Sequence, residues 1–139
     1  MDGLKHRISD TIIFKTTVQS YELDFFHHVN NAVYLNWLES ARVFFLKEKG
    51  MSFDDFLKQS AVPVVASVHM EFKKPAYMDD EISIHTWISS KKRVAMTISY
   101  ELFNQKNDQI HTADSVLVFV DNTGKATNIP ESYLAMMTE

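Results

Sequence analysis

Asn30-Asn31-Ala32-Val33-Tyr34-Leu35-Asn36-Trp37-Leu38-Glu39-Ser40-Ala41-Arg42-Val43-Phe44-Phe45-Leu46-Lys47-Glu48-Lys49-Gly50 is the stretch from which the rest of the chain is read. Val33, Tyr34, Trp37, Leu38, Ala41, Phe44 and Phe45 recur at three- and four-residue intervals, so one broad stripe of a helix is apolar. Asn30 or Asn31 can cap its start. Lys47 and Lys49 suit the negative end of the helix dipole, and Gly50 suits a left-handed stop. The spacing therefore predicts one long amphipathic helix.

On either side of it the period changes to two. Residues 11–23 are rich in β-branched side chains and predict a first strand. Past the long helix, Ser52 and an acidic first turn predict a short second helix over 52–58. Val64, Ala66, Val68, Met70 and Phe72 then alternate with Val65, Ser67, His69, Glu71 and Lys73, and Pro75 closes the run. Ile82, Ile84, Thr86 and Ile88 mark a third strand, which a polar turn over 89–93 separates from a fourth, marked by Val94, Met96, Ile98 and Tyr100. A hairpin loop over 104–108 leads into a fifth strand over 110–120, closed by the turn Asp121-Asn122-Thr123-Gly124. The tail over 131–137 predicts a last helical turn or two. A single sheet with one face to bury wraps the only long helix available, which gives an α+β fold of about five antiparallel strands around one helix.

Composition narrows the function. At 139 residues the chain reads as one domain, 1–139. A net charge of −4 argues against nucleic acid as a partner, since no basic excess can neutralise phosphates. The absence of cysteine excludes disulfides and thiolate zinc sites, and fits a cytoplasmic protein. Residues 1–15 alternate charged and apolar side chains, unlike a signal peptide, and no apolar run approaches a membrane span. With only Gly3, Gly50 and Gly124, neither a phosphate loop nor a nucleophile elbow can be built, so nucleotide-binding and serine-hydrolase folds are poor readings.

The densest polar cluster is Asp24, His27, His28, Asn30 and Asn31, between the first strand and the helix. It sets a carboxylate just before a helix N-terminus, whose main-chain donors can stabilise an oxyanion, with imidazole nearby to orient water. Each residue has a plainer role. An Asp in that position is ordinarily a cap or turn residue. Adjacent histidines rarely face one metal ion, and His69, His85 and His111 lie on separate strands without ligand spacing, so no metal site is expected. Glu39 and Arg42 read as a surface pair, and the aromatic stripe as core.

The run from Tyr21 to Arg42 decides between these roles. It resembles the signature of the 4-hydroxybenzoyl-CoA thioesterase family, roughly Asp-x-x-Gly-His-Val-Asn-Asn-x-x-Tyr followed by Glu and Arg on the helix. Within that family it is most similar to the bacterial long-chain acyl-CoA thioesterase branch, with kinship to plant acyl-carrier-protein thioesterases. Phe72-Lys-Lys-Pro-Ala76 with Asp79-Asp80, residues 113–121, and Ile129-Pro130 resemble further family segments, so the likeness covers nearly the whole chain. It implies the hotdog fold and hydrolysis of an acyl-CoA thioester without a cofactor. Asp24 falls at the acidic catalytic position, His28 at the family histidine, and the oxyanion-donating amide at Asn31. Tyr34 falls in the substrate pocket. Lys91, Lys92 and Arg93 occupy the turn that contacts coenzyme A phosphates in related enzymes, often across a subunit boundary. A homodimer or homotetramer is implied, with the site at the boundary. Acyl-carrier-protein thioesterase and non-catalytic acyl-thioester binding are the rival readings. His27 replaces the family's Gly, and with Phe25 and Phe26 before it the loop implies a narrowed channel or altered acyl selectivity.

Overall fold

The computed structural model describes residues 6–137. Residues 1–5 and 138–139, part of the segments read above as leader-free and as one domain, lie outside the described residues. Five strands form one antiparallel sheet: β1 (Ile12–Thr17), β2 (Val62–Phe72), β3 (Glu81–Lys91), β4 (Ala95–Phe103) and β5 (Gln109–Val120). Their order across the sheet is β1-β3-β4-β5-β2, so β1 and β2 are its edges. The long helix α1 (Asn31–Glu48) is followed by α2 (Phe53–Gln59), and α3 (Glu131–Met136) ends the described chain. Among the described residues no helix is long and apolar enough to cross a membrane.

The caps work as their residue types require. Asn30 Oδ1 accepts the Ala32 N–H at 2.9 Å, and Gly50 takes φ +83° just past the C-cap Lys49. Ser52 and Asp55 exchange bonds in a capping box at α2. Tyr34, Trp37, Leu38, Ala41 and Phe45 of α1 are buried. They share a core with Ile82, Ile84 and Ile88 of β3, Met96, Ile98, Tyr100 and Leu102 of β4, and Leu117 and Phe119 of β5. Twenty-six buried apolar residues form this one cluster, so the helix is the filling and the sheet its wrap.

Three expectations need correction. The first strand stops at Thr17 rather than Leu23. Val18 gives its N–H to Asp80 O at 2.9 Å, and Glu22 Oε1 accepts the Gln19 N–H at 2.8 Å, closing a 3₁₀ turn over Ser20–Glu22. A distant backbone carbonyl and a local side-chain cap thus displace the ladder. β2 starts at Val62, and its alternation breaks between Val65 and Ser67: Ala66 is an extra residue, so Val65 and Pro63, not Val64, share the face of Val68, Met70 and Phe72. Finally, β3 runs on through Ser89, Ser90 and Lys91, pairing Lys91 with Met96, so the polar turn shrinks to residues 92–94.

Candidate active site

The 24–29 loop is shaped by its own polar groups. Asp24 N–H donates to His28 O at 2.7 Å, and His27 N–H to Asp24 O at 3.0 Å. Asp24 Oδ1 accepts from the N–H groups of Phe26 (2.8 Å) and His28 (3.2 Å). His27 closes this turn at φ +64°, a left-handed conformation that costs an L-residue roughly 1–2 kcal/mol. Glycine, which the resembling signature carries at this position, would avoid that cost. Two further bonds seat the loop: Val29 N–H to Ala76 O at 2.9 Å, and Asn30 N–H to Glu22 O at 2.9 Å. Glu22 Oε2 in turn accepts the Trp37 indole N–H at 3.2 Å.

Asn30, not Asn31, caps α1. Its side chain takes the Ala32 N–H and its carbonyl the Val33 N–H. The Asn31 N–H is left without an acceptor among the described residues, at the positive end of an 18-residue helix. A cleft of about 240 Å³ is lined by Asp24, His28, Asn31 and Tyr34 from this side, and by the 72–75 segment from the other. Asp24 and the residue with the free amide therefore border one space. His28 is held edge-on against Tyr77, ring centroids 5.2 Å apart. Tyr34 is buried, which pushes its phenol up to about 12 despite hydrogen bonding to the Ala76 main chain, so it stays a protonated wall of the cleft.

Asp24, His28, Asn31 and Tyr34 are thus brought together. Lys91, Lys92 and Arg93 are not. β3 begins beside the 77–80 loop that packs on His28, and the turn lies at its other end, 11 residues away, a span of roughly 33 Å. Within one protomer that turn does not reach the cleft. Lys73 and Lys74 do line it, although each also faces a carboxylate, Glu71 at 3.6 Å and Asp108 at 3.7 Å respectively. Arg42 departs from the surface-pair reading as well: its guanidinium turns inward and donates to Tyr100 Oη at 3.4 Å. Among the described residues no group of three or more acidic or histidine side chains converges as metal ligands would.

His111 was passed over in the sequence as a strand residue without ligand spacing. It is fully buried, beneath Tyr34 (stacked, 4.5 Å, planes 23° apart) and Phe72 (4.7 Å, edge-on), two walls of the cleft. The signal was its register: His111 shares the alternation of Ala113, Leu117 and Phe119, the core face of β5.

The sequence profile of the family described as the thioesterase-like superfamily matches residues 18–137. The long-chain acyl-CoA thioesterase FadM of Escherichia coli strain K12 is 30% identical over 103 residues, 74% of this chain and 76% of that protein. A chloroplastic acyl-acyl carrier protein thioesterase of Arabidopsis thaliana is 29% identical over 116 residues, 83% of this chain and 61% of its own. Among solved structures, a hypothetical protein from Aquifex aeolicus superposes with a TM-score of 0.84 at 28% identity, covering 91% of this chain and 98% of that one. The five-stranded sheet around one helix is accordingly the hotdog fold.

Proposed function

The chain belongs to the thioesterase-like superfamily, and from that premise we propose that it hydrolyses acyl-CoA to a free carboxylic acid and coenzyme A. In this reading the whole chain, 1–139, works as one cytoplasmic domain of the 4-hydroxybenzoyl-CoA thioesterase type, nearest in character to the long-chain acyl-CoA branch. The observation that carries the proposal is the single cleft lined by both Asp24 and Asn31, the latter with an N–H that has no acceptor among the described residues. A thioester carbonyl bound there has a base or nucleophile on one side and an oxyanion donor on the other. Attack by Asp24, or by a water it deprotonates, builds negative charge on the carbonyl oxygen. The Asn31 amide and the helix dipole stabilise that charge as it forms. Collapse breaks the C–S bond and expels the coenzyme A thiolate, which takes up the proton that Asp24 drew from the water. Where Asp24 itself attacks, a water then hydrolyses the acyl-Asp24 anhydride to release the acid and restore the carboxylate. His28 orients the loop and water, and Tyr34 borders the acyl group.

Coenzyme A phosphates would meet Lys91, Lys92 and Arg93 of a second protomer. An edge strand with Val64, Val65 and Val68 exposed supports such an assembly, a homodimer or homotetramer, because unpaired sheet edges invite pairing. The test is thiol release from acyl-CoA esters of graded chain length, run beside the same acyl groups on acyl carrier protein. Saturable release from the CoA esters is expected. Absence of release from either carrier would overturn the proposal. The similarity to the Arabidopsis protein favours the carrier-protein substrate as the second reading, and a larger kcat/KM on that arm would select it.

A further inference from the structure

We infer that His111 is a specificity residue: it forms a polar floor beneath the cleft that selects acyl groups bearing a hydrogen-bonding oxygen a few carbons from the thioester. The inference rests on the thioesterase reading and deepens it. A neutral imidazole carries one N–H donor and one acceptor nitrogen. Both nitrogens of His111 are buried, and neither has a partner among the described residues. Leaving a buried donor or acceptor empty is costly, whereas an apolar ring of similar shape in the same place is not. The rings stacked on and set edge-on against it are Tyr34 and Phe72, and Leu102 stands opposite it on β4, so packing against these neighbours would be served as well by Phe.

Position gives the unpaired nitrogens a use. Both rings that cover His111, Tyr34 and Phe72, belong to the cleft with Asp24 and Asn31. Tyr34 is buried on α1 and fixed. Phe72 is 46% exposed on the free edge strand β2, so it is the wall that can swing. Tyr34 follows Asn31 by one helical turn, a rise of roughly 5 Å, and His111 lies 4.5 Å beneath it. An acyl chain whose carbonyl sits on the Asn31 amide and whose tail moves past Phe72 therefore brings its first few carbons over the imidazole. A hydroxyl or keto oxygen there satisfies a nitrogen that a plain chain leaves empty. Discrimination then follows from the unpaired group in the complex with the wrong substrate.

The experiment compares kcat/KM for 3-hydroxydecanoyl-CoA and decanoyl-CoA in the wild type, His111→Phe and His111→Gln. The wild type should favour the hydroxylated ester by roughly tenfold, the worth of one neutral hydrogen bond. His111→Phe should bring the ratio to within about twofold of unity, and His111→Gln, which keeps a donor and an acceptor, should recover part of it. A wild-type ratio near unity, or an unchanged ratio in His111→Phe, overturns the inference. If neither ester is hydrolysed, the thioesterase reading falls separately, and calorimetric titration of 3-hydroxydecanoate and decanoate into the wild type decides the role of His111. Tighter binding of the hydroxylated acid upholds it, and equal affinity ends it. That arm needs no variant to fold.

Discussion

Asp24 Oδ1 accepts the main-chain N–H of His28 at 3.2 Å, so the carboxylate and the histidine of the proposed site are locked in one turn. The same oxygen takes the Phe26 N–H at 2.8 Å, while Oδ2 has no donor among the described residues. In the proposed mechanism one carboxylate thus does two jobs. Its first oxygen builds the turn, as an Asp before a helix ordinarily does, and its second is left for the cleft. The structural and the catalytic readings of Asp24 are not rivals.

Asp24→Asn separates the two. The amide oxygen can still accept both N–H bonds, so the turn survives, but basicity and nucleophilicity are gone. Turnover is expected to fall by ~10²–10⁴-fold, with the circular dichroism spectrum and melting temperature close to wild type. A folded variant keeping more than about a tenth of wild-type kcat would remove Asp24 from the mechanism.

His27 stores strain beside the site, since its φ is +64°. Glycine there relieves the left-handed backbone, although it also loosens the unfolded chain, and the two effects partly cancel. His27→Gly is expected to change stability by less than about 1 kcal/mol, in the stabilising direction. His27→Val, whose branched Cβ fits this region worst, should cost about 1–2 kcal/mol. Urea titrations of the two variants check the order. A Val variant as stable as the Gly variant would mean that the turn opens readily in solution.

The long helix was legible because its stripe and both ends agree: Asn30 accepts at the start and Gly50 turns left-handed just past the end. Choosing between Asn30 and Asn31 as cap was not possible from residue type, yet the choice matters, since it is the cap at Asn30 that leaves the Asn31 N–H free. The end of β1 was hidden because its competitors are remote or conditional: the Asp80 carbonyl, 62 positions on, and the Glu22 carboxylate folding back on Gln19. The face of β2 was misread because one inserted residue, Ala66, flips every side chain before it. His111 required pairing information. Its meaning comes from standing opposite Phe72 in the register and under Tyr34 on the helix, contacts that no local pattern contains.

Burial lowers the His111 imidazole from 6.5 to about 4, and this sets a pH dependence of stability. Between those values the unfolded chain binds a proton at this site and the folded chain does not. Stability contributed by the neutral ring is therefore complete above pH 6.5 and is lost as pH falls toward 4, by about 2 kcal/mol at pH 5 and roughly 3 kcal/mol in the limit. His85 is also depressed, chiefly by desolvation, so the wild type alone does not isolate the effect. The urea midpoint should drop from pH 7 to pH 5 more steeply in the wild type than in His111→Phe. Parallel pH dependence in the two proteins would show that His111 gains a partner or water when folded.

The last prediction joins the remote basic turn to the assembly. Lys91, Lys92 and Arg93 lie roughly 33 Å from the cleft of their own protomer, so any effect on substrate must be exerted on a neighbour. β2 offers the means: it is an edge strand of 11 residues with Val64, Val65 and Val68 exposed, and its unpaired backbone favours a second copy. Light scattering should give at least twice the 16.1 kDa chain mass, and Val68→Lys should lower it. Reversing the three charges to Glu should raise KM with little change in kcat, and less so in added salt, because phosphate contacts are equal in ground and transition states. Co-expression then decides where the turn acts. A protomer carrying Asp24→Asn and a protomer carrying the reversed turn are each defective alone. If the turn serves its partner's cleft, the mixed dimer holds one site with an intact Asp24 and an intact turn, and a fraction of activity returns with wild-type KM. If it serves its own cleft, every active site in the mixture carries the reversed turn and KM stays high. A fully active monomer would overturn the shared site altogether.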